Sequence, residues 1–153
     1  MRKIEITAFD LAQRFVGIKE LPGDQDSPFI LAMLQLDVSW PAHDEVAWCS
    51  AFVNFVCHLL RLPRSKNLAA RSNLQVGRAI DLTDAEVGFD IVILKRGDGQ
   101  QPGPDVLQAP GHVGFFGGLQ GDRVQVLAGN QGNAVSLAPF PVSQVLGVRR
   151  LFE

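Results

Sequence analysis

One cysteine stands where a helix is predicted to begin, and this position suits a nucleophile. Cys49 follows Trp48, where a polar stretch gives way to a helical pattern of apolar residues. The unpaired N–H groups and the positive dipole end of a helix N-terminus favour thiolate over thiol, and the thiolate is the nucleophile. Cys57 lies about two turns further along the same helix, outside that field, and is predicted to be a small core residue.

Of the three histidines, His112 is the best placed to act as a base. It begins a predicted strand, where a base is held rigidly, and its neighbouring glycines allow another backbone or a substrate to approach closely. His58 points about 180° away from Cys49 around the helix and lies about a dozen ångströms along it. His43 is predicted to lie in an exposed loop rich in Pro and Asp.

A third polar residue should orient the imidazole. Asn130 follows the next predicted strand, and if the two strands form a hairpin it returns to the level of His112. Its side-chain oxygen could accept the imidazole N–H and fix the tautomer, although an Asn-Gln-Gly-Asn turn is the alternative interpretation. Cys49, His112 and Asn130 have the chemical types of a Cys–His–Asn hydrolytic site.

The elements that must position these residues divide the chain into two halves. The first half shows helical periods, with Thr7 as an N-cap and Pro28 at the first position of a second helix. The predicted helices are 7–15, 29–36, a third beginning at Cys49 and stopped by Leu62-Pro63, and a short one near 68–77.

The second half shows short β-branched and alternating runs. The predicted strands are 90–95, 112–116, 123–127, 134–137 and 146–151, with a long loop over 97–110. Connections of hairpin length favour antiparallel pairing, and helices followed by strands favour an α+β fold. The sequence therefore predicts a single domain over 1–153, with N-terminal helices packed on an antiparallel sheet.

Composition excludes several classes of protein. The 153 residues carry 14 Lys and Arg against 16 Asp and Glu, so the net charge is −2 and nucleic acid is not an expected partner. The basic cluster from Arg61 to Arg71 is interpreted as a solvated loop, with contact to an anionic polymer as the alternative. No apolar run approaches the roughly 18 residues of a membrane span. No His/Cys cluster predicts a metal site, and no cofactor is expected.

Four segments together resemble the papain-like cell-wall hydrolases of the NlpC and CHAP group, in particular its compact bacterial and phage subfamily. The first is Asp44-Glu45-Val46-Ala47-Trp48-Cys49-Ser50-Ala51-Phe52-Val53-Asn54, and the second is Gly88-Phe89-Asp90-Ile91-Val92. The third is Gly111-His112-Val113-Gly114-Phe115, and the fourth is Gly129-Asn130-Gln131-Gly132-Asn133. The opening, Val16-Gly17-Ile18-Lys19-Glu20-Leu21-Pro22-Gly23, is also similar to that subfamily.

The resemblance implies a papain-like fold and a site in which Cys49 is the nucleophile, His112 the base and Asn130 the orienting residue. The third position varies within the group, and Gln131 is the neighbouring alternative. The resemblance also implies peptidoglycan as the substrate, cut either in the stem peptide or, as an N-acetylmuramoyl-L-alanine amidase would cut it, at the bond joining that peptide to muramic acid.

Residues next to the cysteine are expected to contribute to substrate binding. Trp48 could wall the cleft or pack in the core, and Asp44 or Glu45 could bind the substrate's amine or complement the helix dipole. The Cys49 backbone N–H is the expected oxyanion donor. The predicted binding set is Trp48, Asp44 and Gln131, and loop 97–110 is the predicted recognition loop.

Two other functions and three settings stay open. The domain could bind cell wall without catalysis, for example as part of a phage tail, or could hydrolyse other amides as a peptide amidase or deamidase. The N-terminal residues lack the apolar run of a secretion signal, so synthesis in the cytoplasm is expected. A phage lysin released through a holin pore, a tail-associated hydrolase and a secreted antibacterial effector all fit that expectation.

Overall fold

Three helices form the first layer, and the first two of them have side-chain N-caps. A computed structural model describes residues 1–44 and 46–152. Helix α1 is Ala8–Gln13, and the Thr7 hydroxyl and Asp10 carboxylate form the reciprocal hydrogen bonds of a capping box. Helix α2 is Pro28–Leu34, capped by Ser27. Helix α3 is Cys49–Leu60, and it ends at Arg61 in the left-handed conformation.

A six-stranded antiparallel sheet forms the second layer. Its strands are β1 (Arg78–Ile80), β2 (Asp90–Lys95), β3 (Gly111–Gln120), β4 (Arg123–Gln131), β5 (Ala134–Pro141) and β6 (Val145–Arg150). Their order across the sheet is β1-β6-β2-β3-β4-β5. Strands β2 to β5 follow the order of the chain, so β3 and β4 form the hairpin that the site prediction requires.

The sheet divides the apolar core into two clusters. Alternate side chains of the central strands, such as Ile93 and Phe115, pack against the helices, and Phe52 of α3 meets Phe115 edge to face at a centroid distance of 6.1 Å. The intervening side chains, such as Val92 and Val126, form the second cluster on the other face of the sheet. Helix α3 packs against β3 and β4. At its start, the Trp48 ring lies so close to Gly129 of β4 that a Cβ atom at position 129 would be only 2.5 Å from the ring.

The predicted α+β fold, with N-terminal helices on an antiparallel sheet, is confirmed. The predicted bounds of β2 are those observed, and α3 begins at Cys49 as expected. The short helix near 68–77 is a 3₁₀ helix, Ala70–Gln75. Strand β1 was not predicted, and β3, β4 and β5 run longer than their apolar patterns. Within the described residues, no helix is long and apolar enough to cross a membrane.

The basic cluster is not a uniform solvated loop, contrary to that interpretation. Arg71 is fully buried, and its guanidinium donates to the backbone oxygens of Gly103, Val106 and Pro110. Arg64 forms a salt bridge with Asp37 at 2.6 Å. The cluster contains four basic residues, Arg61, Arg64, Lys66 and Arg71, and two of them therefore make structural contacts. Arg71 fixes the long loop that leads into β3.

Candidate active site

Cys49 is the first residue of α3, with its sulfur packed inside the protein. The N-cap residue, Trp48, offers no side-chain hydrogen bond to the helix end, so the first N–H groups remain available at the cysteine. Only 2% of Cys49 is exposed. Burial raises the pKa of its thiol, while the nearby backbone amide of Val113, the Arg96 charge and the helix's own first amides act in the opposite direction.

The pKa of the Cys49 thiol is thus set by two opposing effects. The helix N-terminus does favour the thiolate, as its geometry predicts, but loss of solvent outweighs it. The sequence shows where a helix begins and does not show how deeply its first residue is packed. Cys49 is a neutral thiol near pH 7, so it needs a base to become a nucleophile.

His112 lies on β3, opposite Leu94 of β2, and is nearly buried at 5% exposure. Its Nε2 is 2.9 Å from Oε1 of Gln131, and its ring lies 5.4 Å from the Phe140 ring. Burial lowers the pKa of His112, and the hydrogen bond that the imidazole donates to Gln131 partly opposes that effect. The imidazole is therefore neutral near pH 7 and available as a proton acceptor.

The surroundings of Gln131 decide which imidazole nitrogen accepts that proton. Its amide Nε2 donates to the backbone oxygen of Ser136 at 2.8 Å and to that of Val126 at 3.3 Å. Because those partners are acceptors only, the amide oxygen must be the atom that faces His112. The Nε2 of His112 then carries the hydrogen, and its Nδ1 keeps the lone pair of a base.

The side chain that contacts His112 is that of Gln131, the alternative to Asn130. Strict alternation from Val126 and Ala128 would place Asn130 on the same face as His112. Asn130 instead adopts a left-handed conformation with φ of 59°, and the pairing of β4 with β5 shifts register between Ala128 and Gln131. This bulge moves the next side chain onto the face of His112.

Cys49 lies beside β3, the strand that carries His112. The sulfur lies near the amide of Val113, the residue that follows His112, and the Arg96 charge lowers the pKa of both groups. Within the described residues, no hydrogen bond joins the sulfur to the imidazole. Catalytic hydrogen bonds often tighten only when substrate binds, so this geometry is compatible with a nucleophile and its base.

Two residues of the predicted binding set have structural contacts instead. Trp48 is fully buried, and its indole N–H donates to Glu20 at 2.8 Å, so it packs in the core and does not wall a cleft. Asp44 is also buried, and its carboxylate accepts the backbone N–H of Ser27 at 2.7 Å. Glu45, the alternative to Asp44, lies outside the described residues.

An open pocket of about 530 Å³ borders His112. His112, Asn130, Gln131, Phe140 and residues near them form its walls, together with Lys95 and Arg96 at the end of β2. Cys49 is not among the lining residues, so the pocket borders His112 and Gln131 but not the sulfur. Sequence reasoning missed both cations, although two adjacent basic residues between a buried strand and a long loop were a usable signal.

The remaining histidines do not belong to this site. His43 pairs with Asp26 at 3.2 Å near the protein surface, and His58 is exposed on α3. Among residues 1–44 and 46–152, no three His, Cys, Asp or Glu side chains are grouped so that they could hold a metal ion.

Comparisons with known proteins return a distant structural likeness. No family model and no curated protein matches the chain. A solved structure of NlpC1 from Trichomonas vaginalis is similar over 99% of this chain, with 14% sequence identity and a TM-score of 0.49. The chain spans about half of that protein, 47% of its length. A likeness of this size does not establish activity, so the chemistry must follow from the site's own residues.

Proposed function

We propose that the protein is a papain-like cysteine hydrolase that cleaves an amide bond in the stem peptide of peptidoglycan. The observation that carries the proposal is the contact between His112 and Gln131. An amide anchored by two backbone oxygens holds the imidazole in the tautomer whose Nδ1 is a base. The resemblance of the surrounding segments to cell-wall hydrolases supplies the substrate class.

In this mechanism the neutral pair reacts only when substrate is present. His112 takes the thiol proton as the Cys49 sulfur attacks the amide carbonyl, and the backbone N–H of Cys49 donates to the developing oxyanion. The tetrahedral species collapses to a thioester as His112 returns the proton to the leaving amine. Water, deprotonated by His112, then attacks the thioester, and the thiol and a carboxylic acid are released.

Two cysteines on one helix provide a matched test. We expect Cys49→Ala to abolish the release of new amino groups from purified peptidoglycan, because it removes the nucleophile. Cys57→Ala should retain activity at 25 °C, because Cys57 is a buried core residue two turns away. Circular dichroism of both variants checks that they fold. Equal activity of Cys49→Ala and the wild type would refute the proposal.

Fragment masses also separate the endopeptidase from the alternative amidase. Cleavage within the stem peptide leaves residues attached to muramic acid, whereas an N-acetylmuramoyl-L-alanine amidase releases the whole peptide. We expect mass spectrometry of the wild-type digest to show the first pattern.

The burial of Cys49 favours a second candidate function, that of a non-catalytic cell-wall binder. A thiol that is 2% exposed and whose pKa is raised by burial is typical of a structural cysteine. A binder of this kind would sediment with insoluble peptidoglycan and release no fragments. The same digest therefore distinguishes the two functions, since only the hydrolase generates new amino groups.

A further inference from the structure

The pocket beside His112 is positively charged. Lys95 and Arg96 both line it, and none of its described lining residues is Asp or Glu. Within the described residues, neither cation forms a salt bridge, in contrast to Arg64 and Arg150, which pair with Asp37 and Asp90. The pocket therefore holds two cationic groups whose charges are not balanced by carboxylates of the described chain.

The charge of Arg96 reaches the proposed reaction centre. After burial, which dominates in both cases, Arg96 is among the causes that shift the pKa of Cys49 and of His112. Among residues 1–44 and 46–152, no other charged side chain is a cause of either shift. Arg96 and His112 line the same pocket, so a ligand group paired with Arg96 would lie near the proposed base.

We propose that Lys95 and Arg96 bind a carboxylate of the substrate in this pocket and select acyl peptides that carry one beside the scissile amide. A guanidinium offers a planar fork that matches a carboxylate with two hydrogen bonds, and an ammonium adds a compact charge. The remaining wall is polar or apolar, with Ser136, Ala138 and Phe140, and repels no anion. This inference extends the proposed hydrolase function by naming a chemical feature of its substrate.

The test compares one set of ligands in two charge states. Soluble stem peptides are prepared from purified peptidoglycan, and half are treated with carbodiimide and ammonia, which converts their carboxylates to carboxamides. Both halves are titrated into full-length Cys49→Ala protein, which cannot turn them over, and binding is followed by calorimetry. We expect the untreated peptides to bind at least about tenfold more tightly, and this preference to weaken as salt is added.

Substitutions in the same background assign the preference to its residues. Arg96→Gln should reduce the ratio of the two affinities to within about threefold, and Lys95→Gln should reduce it less. Arg96→Lys keeps the charge without the fork and should fall between Arg96→Gln and the unsubstituted background. Arg123→Gln, an exposed residue on β4 outside the pocket, should leave the ratio unchanged.

A second measurement, made without ligand, tests whether the Arg96 charge acts on His112. In the NMR titration of His112, Arg96→Gln should raise the pKa of the imidazole, because the guanidinium charge lowers it. Equal affinities for the two peptide preparations, absence of binding to either, or a preference that survives Arg96→Gln would overturn the inference. A carboxylate preference in a protein that releases no fragments would sink the hydrolase proposal alone and leave this site standing.

Discussion

At the scale of single residues, the site depends on an uncharged pair. Burial raises the pKa of Cys49 and lowers that of His112, so both shifts disfavour a thiolate–imidazolium pair. A free enzyme with that pair would react with electrophiles even in acid, whereas a neutral pair gains its nucleophile from proton transfer during the reaction. The orientation of His112 then matters more than the acidity of Cys49.

The contact between Gln131 and His112 makes a specific prediction about rate and pH. We expect Gln131→Ala to lower kcat on purified peptidoglycan on the order of 10²-fold or more, because the imidazole loses its fixed tautomer. The hydrogen bond that His112 donates to Gln131 raises the pKa of the imidazole, so its loss should lower that pKa and move the acid limb of kcat/KM to lower pH.

Asn130 supplies the comparison for that experiment. Its φ of 59° suits glycine, so Asn130→Gly should preserve the bulge and cost less than about threefold in kcat. A loss from Asn130→Gly as large as that from Gln131→Ala, with no shift of the acid limb in either, would return the orienting role to Asn130.

At the scale of elements, the sequence predicts the helices and strands that are defined by a local pattern of apolar residues. Apolar residues at helical spacing from Cys49 to Leu60 define α3, and the run Ile91 to Leu94 defines β2. Strand β1 has only three residues, and it exists because it pairs with β6, about 70 positions later in the chain. No local pattern carries that information, so β1 was missed.

The candidate site shows the same limit at one residue of a strand. The residue types and their order predict Cys49, His112 and Asn130 as site residues, and the family resemblance adds Gln131 as the alternative to Asn130. Asn130 adopts a left-handed φ, and as a result Gln131 and not Asn130 faces His112. Periodicity alone cannot show such a bulge. The burial of Trp48 and Asp44 likewise follows from contacts with Glu20 and Ser27, which are distant in sequence.

The loop before β3 depends on one buried arginine. Arg71 donates to three backbone oxygens of residues 103–110, and one of its nitrogens, Nη2, has no partner among the described residues. Arg71→Met removes those hydrogen bonds, and we expect thermolysin to cut within 97–110 about tenfold faster, since hydrogen bonds to charged groups contribute about 1.5–3 kcal/mol. Mass spectrometry of the limited digest locates the cuts. Arg123→Met, at an exposed position on β4, is the matched control, and equal rates in the two variants would contradict the role of Arg71.

At the scale of the whole molecule, the core places both thiols where ionisation opposes folding. Burial raises the pKa of Cys57 to about 12 and that of Cys49 in the same direction. In the unfolded chain a thiol ionises near pH 8.5, so above that pH the unfolded state releases protons that the folded state keeps. The chain has no tyrosine that would titrate in the same range. Stability should therefore fall as pH rises from about 8.5.

The last prediction concerns how steeply the free energy of unfolding falls with pH. Replacing one of the two cysteines should remove its contribution to that slope. Each buried thiol should lower the free energy of unfolding by about 1.4 kcal/mol per pH unit well above pH 8.5, until its own folded pKa is reached. Urea unfolding at pH 7.5, 9 and 10 measures this slope. Cys57→Ala should be less stable at pH 7.5, because a buried sulfur is lost, yet its stability should decline about half as steeply, since only Cys49 then contributes. Parallel curves for the two proteins would show that Cys57 ionises in the folded state as easily as in the unfolded one, and that the core around α3 is open to water.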